Sequence, residues 1–450
     1  MSVAAPPRVS RPEVTYARVA AIALPVVLSN AAVPIQGAID TAIIGNLGRE
    51  EPLAAVTLGA TVITLVFSSF NFLQMGSSGL TAQAFGSSDG ERVRDTLLRA
   101  LAVAGASALV LLLLSRPIVA AGLGLFEASD EVEALAAAYI LIRLWGAPAE
   151  LAIFALIGSF TGQEQTRRLV EMQLTTSVAN VGFNLLFVFG LGWGVEGVAI
   201  GTVLGAHAGL AVGLWRMRGQ MRRIAPADAR LDWRRILERR ALLQVMALNR
   251  DIFIRTICIT GSFAWLARLG SLQGDTVLAA NGVLLQFIYV AAYALDGFAM
   301  AAETLVGQAL GARDRRSLDR AVVLSSVSAL AAAGIFALAA SLSAPALVAL
   351  FTNVESVREV ATEHVLWASC LPLVGVLAYQ ADGIFIGAAE GRAMRNAMLV
   401  STGIFLPLSW ALTHAMGNHG LWLALWIYML LRLVTLAIRY PALADRTVKR

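Results

Sequence analysis

The sequence Gln-Ala-Phe-Gly-Ser-Ser-Asp at residues 83–89 recurs as Gln-Ala-Leu-Gly-Ala-Arg-Asp at residues 308–314, at an offset of 225 residues. Each copy follows a long apolar segment, the second of six such segments in its half of the chain. The pattern Ile-Gly-x-x-x-Gly also occurs twice, at residues 157–162 and 386–391, after the fourth segment of each half. Self-similarity of this kind indicates that one structural unit is present in two copies.

Twelve apolar segments make up most of the 450 residues, of which 58% are hydrophobic and only 14% charged. This balance leaves too little charge to coat a soluble protein, so lipid is the expected solvent. Because lipid offers no hydrogen bonds to the backbone, each segment of about 20 residues or more is predicted to be a helix. The predicted helices cover residues 19–45, 53–85, 97–115, 132–160, 169–191, 195–215, 242–266, 276–310, 318–342, 360–388, 397–415 and 421–438.

Positive charge alternates between successive loops, and cytoplasmic loops are the ones that retain arginine and lysine. Both termini are therefore predicted to be cytoplasmic, in a multi-pass protein of the inner (plasma) membrane. The N-terminal residues show no signal-peptide cleavage pattern, so the first helix is expected to stay in the protein. The loops assigned to the inside hold Arg92, Arg94 and Arg99, then Arg167 and Arg168, nine arginines from Arg216 to Arg240, then Arg313, Arg315, Arg316 and Arg320, and finally Arg392 and Arg395.

Six helices per half is an even number, so both copies enter the membrane from the same side and are related by an axis along the membrane normal. The predicted fold is all-α and integral to the membrane, with twelve transmembrane helices in two pseudo-symmetric six-helix lobes around a central cavity. The predicted boundaries are residues 1–220 for the first lobe, 221–240 for a basic cytoplasmic linker and 241–450 for the second lobe. Transport by alternating access is the function that such lobes favour.

Several other functions are disfavoured by residue usage. Lys449 is the only lysine, which excludes a P-loop for ATP and a Schiff base in the membrane. The four histidines, His207, His364, His414 and His419, are scattered over different segments without metal-ligand spacing, so no metal site and no cofactor other than a coupling ion is expected. The formal charge of +5 is spread over the loops, which argues against nucleic acid as a partner.

Ionisable side chains within a membrane helix are costly and need a partner, a water-filled cavity or a function. Asp40 lies well inside the first helix, downstream of Pro25 and Pro34, whose missing N–H groups create places where the helix can bend. Protonation of Asp40 is predicted to couple to the shape of this helix. A structural hydrogen bond at a helix end is the simpler alternative.

Three polar residues are predicted to accompany Asp40. Asn180 and Asn184 are four residues apart on helix 5 and so share one face, and Thr202 on helix 6 is a further candidate. The amide groups of the two asparagines can bind a carboxylate, water or a cation. Asparagines also join membrane helices for structural reasons alone, and residue type and spacing do not separate the two roles.

The second half contributes a candidate substrate cavity, with Gln286, Asp296 and Glu303 on helix 8 and Asp382 on helix 10. Asp296 aligns with Asn71 at the 225-residue offset, which suggests a cavity lining at matched depth, although an inter-helix hydrogen bond explains it equally well.

Two predicted ion pairs have structural roles only. Asp251 and Arg255 are four residues apart on helix 7, and Arg143 and Glu150 are seven apart on helix 4. Residues paired in this way need no substrate to explain them.

The sequence resembles the multidrug and toxic compound extrusion (MATE) transporters, in particular their DinF-like branch. The resemblance is carried by Pro25 with Gly-Ala-Ile-Asp-Thr at residues 37–41, Asn-Arg-Asp-Ile-Phe-Ile-Arg-Thr at residues 249–256, and the run from Leu295 through Glu303 to Gln308. It implies two six-helix lobes in a V that export cationic or amphipathic organic compounds in exchange for protons or sodium. It makes Asp40 the leading coupling residue, with Asn180, Asn184 and Thr202 beside it.

Some relatives carry a carboxylate at the position of Asn184, and its absence here favours protons over sodium as the coupling ion. Asp382 resembles an acid used in this branch, and the repeats place Ser262 or Trp265 opposite Asp40. Coupling is thus expected in the first lobe of a monomeric exporter. The alternatives are a flippase of lipid-linked precursors, which usually lines its cavity with arginine, and an integral-membrane enzyme, which needs a nucleophile or metal set that the sequence lacks.

Overall fold

The computed structural model describes residues 13–45, 50–124, 126, 128–224 and 232–445, and the regular elements in these ranges are all helical. The first half contains α1 (Tyr16–Gly45), α2 (Glu50–Ser68), α3 (Phe72–Gly86), α4 (Gly90–Leu113), α5 (Ser115–Leu123), α6 (Asp130–Leu144), α7 (Ala147–Gly162), α8 (Thr166–Leu185), which a π-helical turn (Leu186–Gly190) extends, and α9 (Gly194–Ile224). The second half contains α10 (Trp233–Ile236), α11 (Arg239–Ser271), α12 (Asp275–Ala312), α13 (Arg315–Leu342), α14 (Ala344–Phe351), α15 (Glu355–Gly387), α16 (Gly391–Ala437) and α17 (Tyr440–Ala444).

Twelve membrane crossings arise from these helices. Within the described ranges, nine helical stretches are long and apolar enough to span a membrane, and the pair α6 and α7, bent by 51°, makes a tenth. Helix α16 contributes two crossings, because its chain reverses at Gly417 (φ 59°, ψ −139°) and Thr402 then hydrogen-bonds Tyr428 at 3.2 Å. Helix α1 (Tyr16–Gly45) supplies the twelfth. The predicted twelve helices in two pseudo-symmetric six-helix lobes are confirmed.

The repeated heptapeptide forms the turn between two helices in each half. Asp89 and Asp314 cap the following helices, accepting hydrogen bonds from the backbone N–H groups of Arg92 (2.9 Å) and Ser317 (3.1 Å). The bonds from Ser317 hold the pKa of Asp314 below its ordinary value. The residue before each aspartate has a left-handed backbone, with φ 60° at Ser88 and 54° at Arg313. The two turns therefore share their geometry as well as their sequence.

The two halves meet at one end of the bundle, which we call the basic end and define by the starts of α4, α8, α11, α13 and α16, where most loop arginines lie. Gly86 and Gly311, at equivalent positions in the two copies, allow this contact. Added Cβ atoms would overlap the carbonyl oxygen of Gln308 in the first case and of Gln83 in the second. Glycine is required at both positions because the backbones of the two halves touch.

Two reciprocal hydrogen bonds join the halves at the basic end. Gln83 donates from Nε2 to the carbonyl oxygen of Gly387 at 2.9 Å, and Gln308 donates from Nε2 to that of Gly162 at 3.2 Å. Both the donors and the acceptors are 225 residues apart, so one pseudo-twofold axis relates the bonds. We call this pair of bonds the glutamine latch.

The glutamine latch corrects the second predicted repeat. Alignment of the Ile-Gly-x-x-x-Gly patterns places residue 158 opposite residue 387, whereas the structure places Gly162 opposite Gly387. Glu164 (φ 57°) and Ala389 (φ 55°) confirm an offset of 225 residues at this turn. The pattern was misaligned by four residues because glycines recur about once per turn on a closely packed helix face.

Replacement of Gly311 by Ala is expected to lower the melting temperature and the transport rate, because the new Cβ must displace the backbone of Gln83 at the closed end. Gly334→Ala is the matched control, since nothing lies within 4 Å of a Cβ at that position in α13. The control should be neutral or slightly stabilising. Thermal unfolding of both purified variants measures the difference, and equal melting temperatures would contradict the assigned contact.

At the opposite end the halves diverge. We call it the acidic end and define it by the starts of α2, α6, α12 and α15, which carry acidic residues in their first turns. Helix α2, the outer part of the second crossing, packs mainly on α1 and α6 of its own half, whereas α3 packs on α11, α12 and α15 of the other. The structure is thus closed at the basic end and open at the acidic end.

The predicted linker between the lobes is shorter than 221–240 on both sides. Helix α9 continues to Ile224, α10 begins at Trp233 and α11 begins at Arg239. Residues 225–231 of the predicted linker lie outside the described residues.

Candidate functional site

The structure brings Asp40 into direct contact with the amide groups of helix α8. Asn184 donates from Nδ2 to Oδ1 of Asp40 at 2.7 Å. Asn184 is fully buried and Asp40 is partly buried, so the carboxylate lies at the edge of a packed region. Asp40 forms no ion pair with any side chain that the structure describes. A neutral amide, therefore, is its hydrogen-bonding partner.

A chain of hydrogen bonds extends from this contact to helix α9. Asn184 also approaches Oδ1 of Asn180 at 3.5 Å, and Asn180 donates to Oγ1 of Thr202 at 2.8 Å. Thr202 ends the chain by donating to the carbonyl oxygen of Val198 at 2.9 Å. All four predicted residues of this group, Asp40 included, thus lie in one connected network.

Close packing of α8 on α9 makes the network possible. A Cβ at Gly201 would overlap Oδ1 of Asn184, and one at Gly205 would lie 2.8 Å from the Cα of Asn180. The Oδ1 atom of Asn184 is buried and has no hydrogen-bond partner among the described groups. Since a buried acceptor without a donor is costly, this atom is available to a proton donor or a cation.

Arg143 also lies near this site, and its closeness to Asp40 was not predicted from the sequence. Its guanidinium pairs with Glu150 at 3.6 Å, as predicted, and it is close enough to Asp40 for their charges to interact. Its Nε and Nη1 are buried without hydrogen-bond partners among the described groups. The seven-residue spacing gave the pair with Glu150, but no local signal relates α6 to α1.

Pro25 lies inside α1, where its ring leaves one carbonyl oxygen without a helical donor. That carbonyl belongs to Ala21, and Oγ1 of Thr166 donates to it at 3.4 Å. On α12, Gly297 packs against the backbone of α1 at Ala23 and Val27, where an added Cβ would overlap. The proline-interrupted part of α1 therefore lies at the contact between the halves.

The second half has a hydrogen bond equivalent to that of Asp40 but no carboxylate. Trp265 donates from Nε1 to Oγ of Ser409 at 3.0 Å. These residues stand 225 positions after Asp40 and Asn184. Of the two residues proposed opposite Asp40, the structure selects Trp265, and Ser262 bonds Tyr428 instead at 3.1 Å.

Asp382 is held between two arginines in the core of the second half. Its Oδ2 accepts hydrogen bonds from Arg255 and, at 2.6 Å, from Arg432. The predicted pair of Asp251 with Arg255 is wrong, because Arg395 and Arg250 bond Asp251, at 2.8 and 3.0 Å. The i, i+4 spacing was correct for the helix, but Asp382 is a buried partner that competes for Arg255.

Asp296 lies on an exposed stripe of α12 that faces the first half. The Nδ2 of Asn30 on α1 donates to Oδ2 of Asp296 at 3.2 Å and to the carbonyl oxygen of Tyr293 at 3.3 Å. Gln286, also exposed, lies on the same stripe toward the acidic end, about three turns from Asp296. These two predicted residues are therefore placed along the opening between the halves.

Glu303 lies deeper on α12, in the contact region of the basic end, and is 4% exposed. Its Oε1 has no hydrogen-bond partner among the described groups. Neither Glu303 nor Asp382 shares the exposed stripe, so the four predicted cavity residues do not form one site.

The fold and these buried polar networks define a class: a multi-pass membrane transporter built from two related halves. A family model described as MatE matches residues 25–186 and 252–411. The DNA damage-inducible protein F of Escherichia coli (strain K12) is 35% identical over 426 residues, covering 92% of this chain and 90% of that protein. The probable multidrug resistance protein NorM of Bradyrhizobium diazoefficiens is 29% identical over 441 residues, covering 91% and 89%.

Solved structures of MATE proteins have the same fold at low identity. A crystal structure of MATE in the bent conformation matches with a TM-score of 0.85 at 18% identity, covering 96% of this chain and 97% of that one. An outward-facing multidrug resistance MATE transporter matches with a TM-score of 0.83 over the same shares. The chain belongs to the MatE family of multidrug and toxic compound efflux transporters, whose members are transporters and not enzymes.

Proposed function

We propose that this protein is a proton-coupled antiporter that exports cationic or amphipathic organic compounds, with Asp40 as its coupling residue. The hydrogen bond from Asn184 to Asp40 carries the proposal. It ties the first helix to α8 more strongly while the carboxyl is ionised, because a charged acceptor binds the amide N–H more strongly than a neutral one. Protonation of that carboxyl therefore changes how the two helices bind each other. Pro25 lies where α1 contacts the other half, so bending of α1 at this proline transmits the change to the contact between the lobes.

The orientation follows from charge. Loops at the basic end hold most of the arginines, and the positive-inside rule assigns that end to the cytoplasm of the inner membrane. The closed basic end and open acidic end then correspond to an outward-facing state. In this orientation Gln286 and Asp296 face the periplasmic opening, where a cationic substrate leaves.

Proton rather than sodium coupling is supported by the composition of the Asp40 site. Hard cations are bound by several oxygens at once, and carboxylates are common among them. Here Asp40 is the one carboxylate of the network, and its neighbours are two amides and a hydroxyl.

Reconstituted vesicles with imposed gradients test the proposal. Fluorescent organic cations are loaded inside vesicles that carry a pH gradient, a sodium gradient or neither, with a neutral compound and a lipid-linked sugar as comparisons. We expect movement of the cations driven by the pH gradient alone. Transport driven only by sodium, or scrambling of the lipid-linked sugar without cation movement, would overturn the proposal. Activity per chain in vesicles that hold single molecules also tests the proposed monomer.

A further inference from the structure

A group of three potential metal ligands lies at the acidic end of the second half, far from Asp40. Glu363 and His364 are on α15, and His419 follows the chain reversal at Gly417 in α16. One ligand atom from each residue lies within 4.8 Å of the other two. No zinc site was expected because the histidines lie on different segments of the sequence. The fold nevertheless brings His364 and His419 next to each other.

His364 presents a buried nitrogen that is ready to bind a cation. Its Nδ1 lies 2.9 Å from the carbonyl oxygen of Val360, which accepts only from a protonated nitrogen. The proton is therefore on Nδ1, and Nε2 carries a lone pair. His364 is 4% exposed, and Nε2 has no hydrogen-bond partner among the described groups. A backbone carbonyl that fixes the other ring nitrogen in this way is typical of histidines that bind metals.

His419 and Glu363 complete the group from the solvent side. The ring of His419 stacks on that of His364 with 4.3 Å between centroids, and its Nε2 lies 3.2 Å from Oε1 of Glu363. The side chain of Glu363 is 61% exposed, which leaves a path for an ion and for a water ligand. One ligand is therefore buried and fixed, while the other two can adjust.

We propose that Glu363, His364 and His419 bind one zinc-class transition-metal ion, which links α15 to the second arm of α16. Two imidazoles and one carboxylate, with a fourth position open to water, are a ligand set that zinc commonly uses. Nickel and copper accept similar ligands, whereas magnesium and calcium prefer oxygen alone. Around a tetrahedral ion with Zn–N bonds of about 2.0–2.1 Å, ligand atoms are about 3.4 Å apart. His419 Nε2 and Glu363 Oε1 are already 3.2 Å apart, and separations of up to 4.8 Å in the group must shorten by up to about 1.4 Å.

Binding also has a defined consequence for His419. Its Nδ1 accepts a hydrogen bond from Nε1 of Trp367 at 3.1 Å, so in the metal-free protein the proton is on Nε2. Metal binding at Nε2 moves that proton to Nδ1 and breaks the bond to Trp367. The imidazole of His419 stays neutral, and the indole N–H of Trp367 loses its hydrogen-bond acceptor.

The test is zinc titration of the full chain in detergent, purified with a tag that contains no histidine. Equilibrium dialysis and thermal unfolding are measured with zinc, with nickel and, as the negative comparison, with magnesium. We expect one zinc ion per chain and a zinc-dependent rise in melting temperature, with no response to magnesium. His364→Gln and His419→Gln should each weaken zinc binding at least about tenfold, as loss of metal contacts does.

Matched controls come from the other two histidines. In the described structure, Nδ1 of both His207 and His414 lies close to a backbone carbonyl, and neither belongs to the cluster. His207→Gln and His414→Gln should therefore bind zinc like the parent. Glu363→Gln, at an exposed position, tests the site if the buried His364 variant fails to fold. Absence of stoichiometric zinc binding, or binding unchanged in the cluster variants, would overturn the proposal.

Discussion

Replacement of Asp40 by Asn is expected to abolish gradient-driven efflux while leaving the protein folded. The amide still fits beside Asn184, but it neither takes up nor releases a proton, so the contact between α1 and α8 no longer changes with the gradient. Substrate binding, measured by fluorescence quenching in detergent, should persist. Transport of the organic cation and the exchange of protons should both fall to the level of vesicles without protein.

Ser409→Ala provides the matched control for Asp40→Asn. It removes the hydrogen bond from Trp265 at the equivalent place in the second half, where no carboxylate is involved. We expect coupled transport to continue in this variant with a small loss of stability, about 0.5–1.5 kcal/mol for one hydrogen bond. If Asp40→Asn kept full efflux and full proton exchange, or if Ser409→Ala abolished both, the assignment of coupling to the first half would be wrong.

Replacement of Asp382 by Ala is expected to destabilise the protein strongly, because it leaves two buried arginines without a counter-charge. The side chains of Arg255 and Arg432 are 10% and 3% exposed and would both lose their carboxylate. Removing one partner of a buried ion pair typically costs about 3–5 kcal/mol, since the remaining charge stays buried without compensation. Thermal unfolding in detergent should show a large fall in melting temperature.

Arg250→Ala is the comparison for the Asp382 variant. The side chain of Arg250 is 58% exposed, and Arg395 also contacts its partner Asp251. Because Arg250 is exposed and Arg395 keeps the buried Asp251 paired, we expect this variant to lose only about 0–1 kcal/mol. Similar melting temperatures for Asp382→Ala and Arg250→Ala would show that the buried charges are compensated by water or by other groups. A direct role of Asp382 in substrate binding would appear instead as lost affinity at unchanged stability.

The architecture was accessible from the sequence because membrane helices are encoded by local composition and the two halves by repetition. Gln83 and Gln308 were visible as members of a repeated heptapeptide, and the structure gives a role to three of its four shared residues. The glutamines form the latch, Gly86 and Gly311 allow the halves to touch, and the final aspartates cap helices. The predicted helices 242–266 and 276–310 also agree with α11 and α12 to within about five residues at each end.

The pairing of side chains across helices was harder to predict from the sequence. The network of Asp40 with Asn184 was predicted through residue type and resemblance, whereas the partners of Asp382 depend on where α11 and α16 meet it. His364 and His419 are 55 positions apart by number. The break between the predicted helices 397–415 and 421–438 indicated the reversal at Gly417, but nothing in the sequence indicated that α15 packs beside it. Contacts between distant segments are set by packing, which single-sequence periodicity does not describe.

The glutamine latch adds two neutral hydrogen bonds to the basic end, where Arg18 also donates to Gln308 at 3.0 Å and Arg320 pairs with Glu13. Each amide-to-carbonyl bond contributes about 0.5–1.5 kcal/mol, so the latch itself contributes roughly 1–3 kcal/mol to closure. One elementary charge that crosses a membrane potential of 100 mV releases about 2.3 kcal/mol. The energy from a single proton per cycle is therefore of the same size as the contribution of the glutamine latch to closure of the basic end.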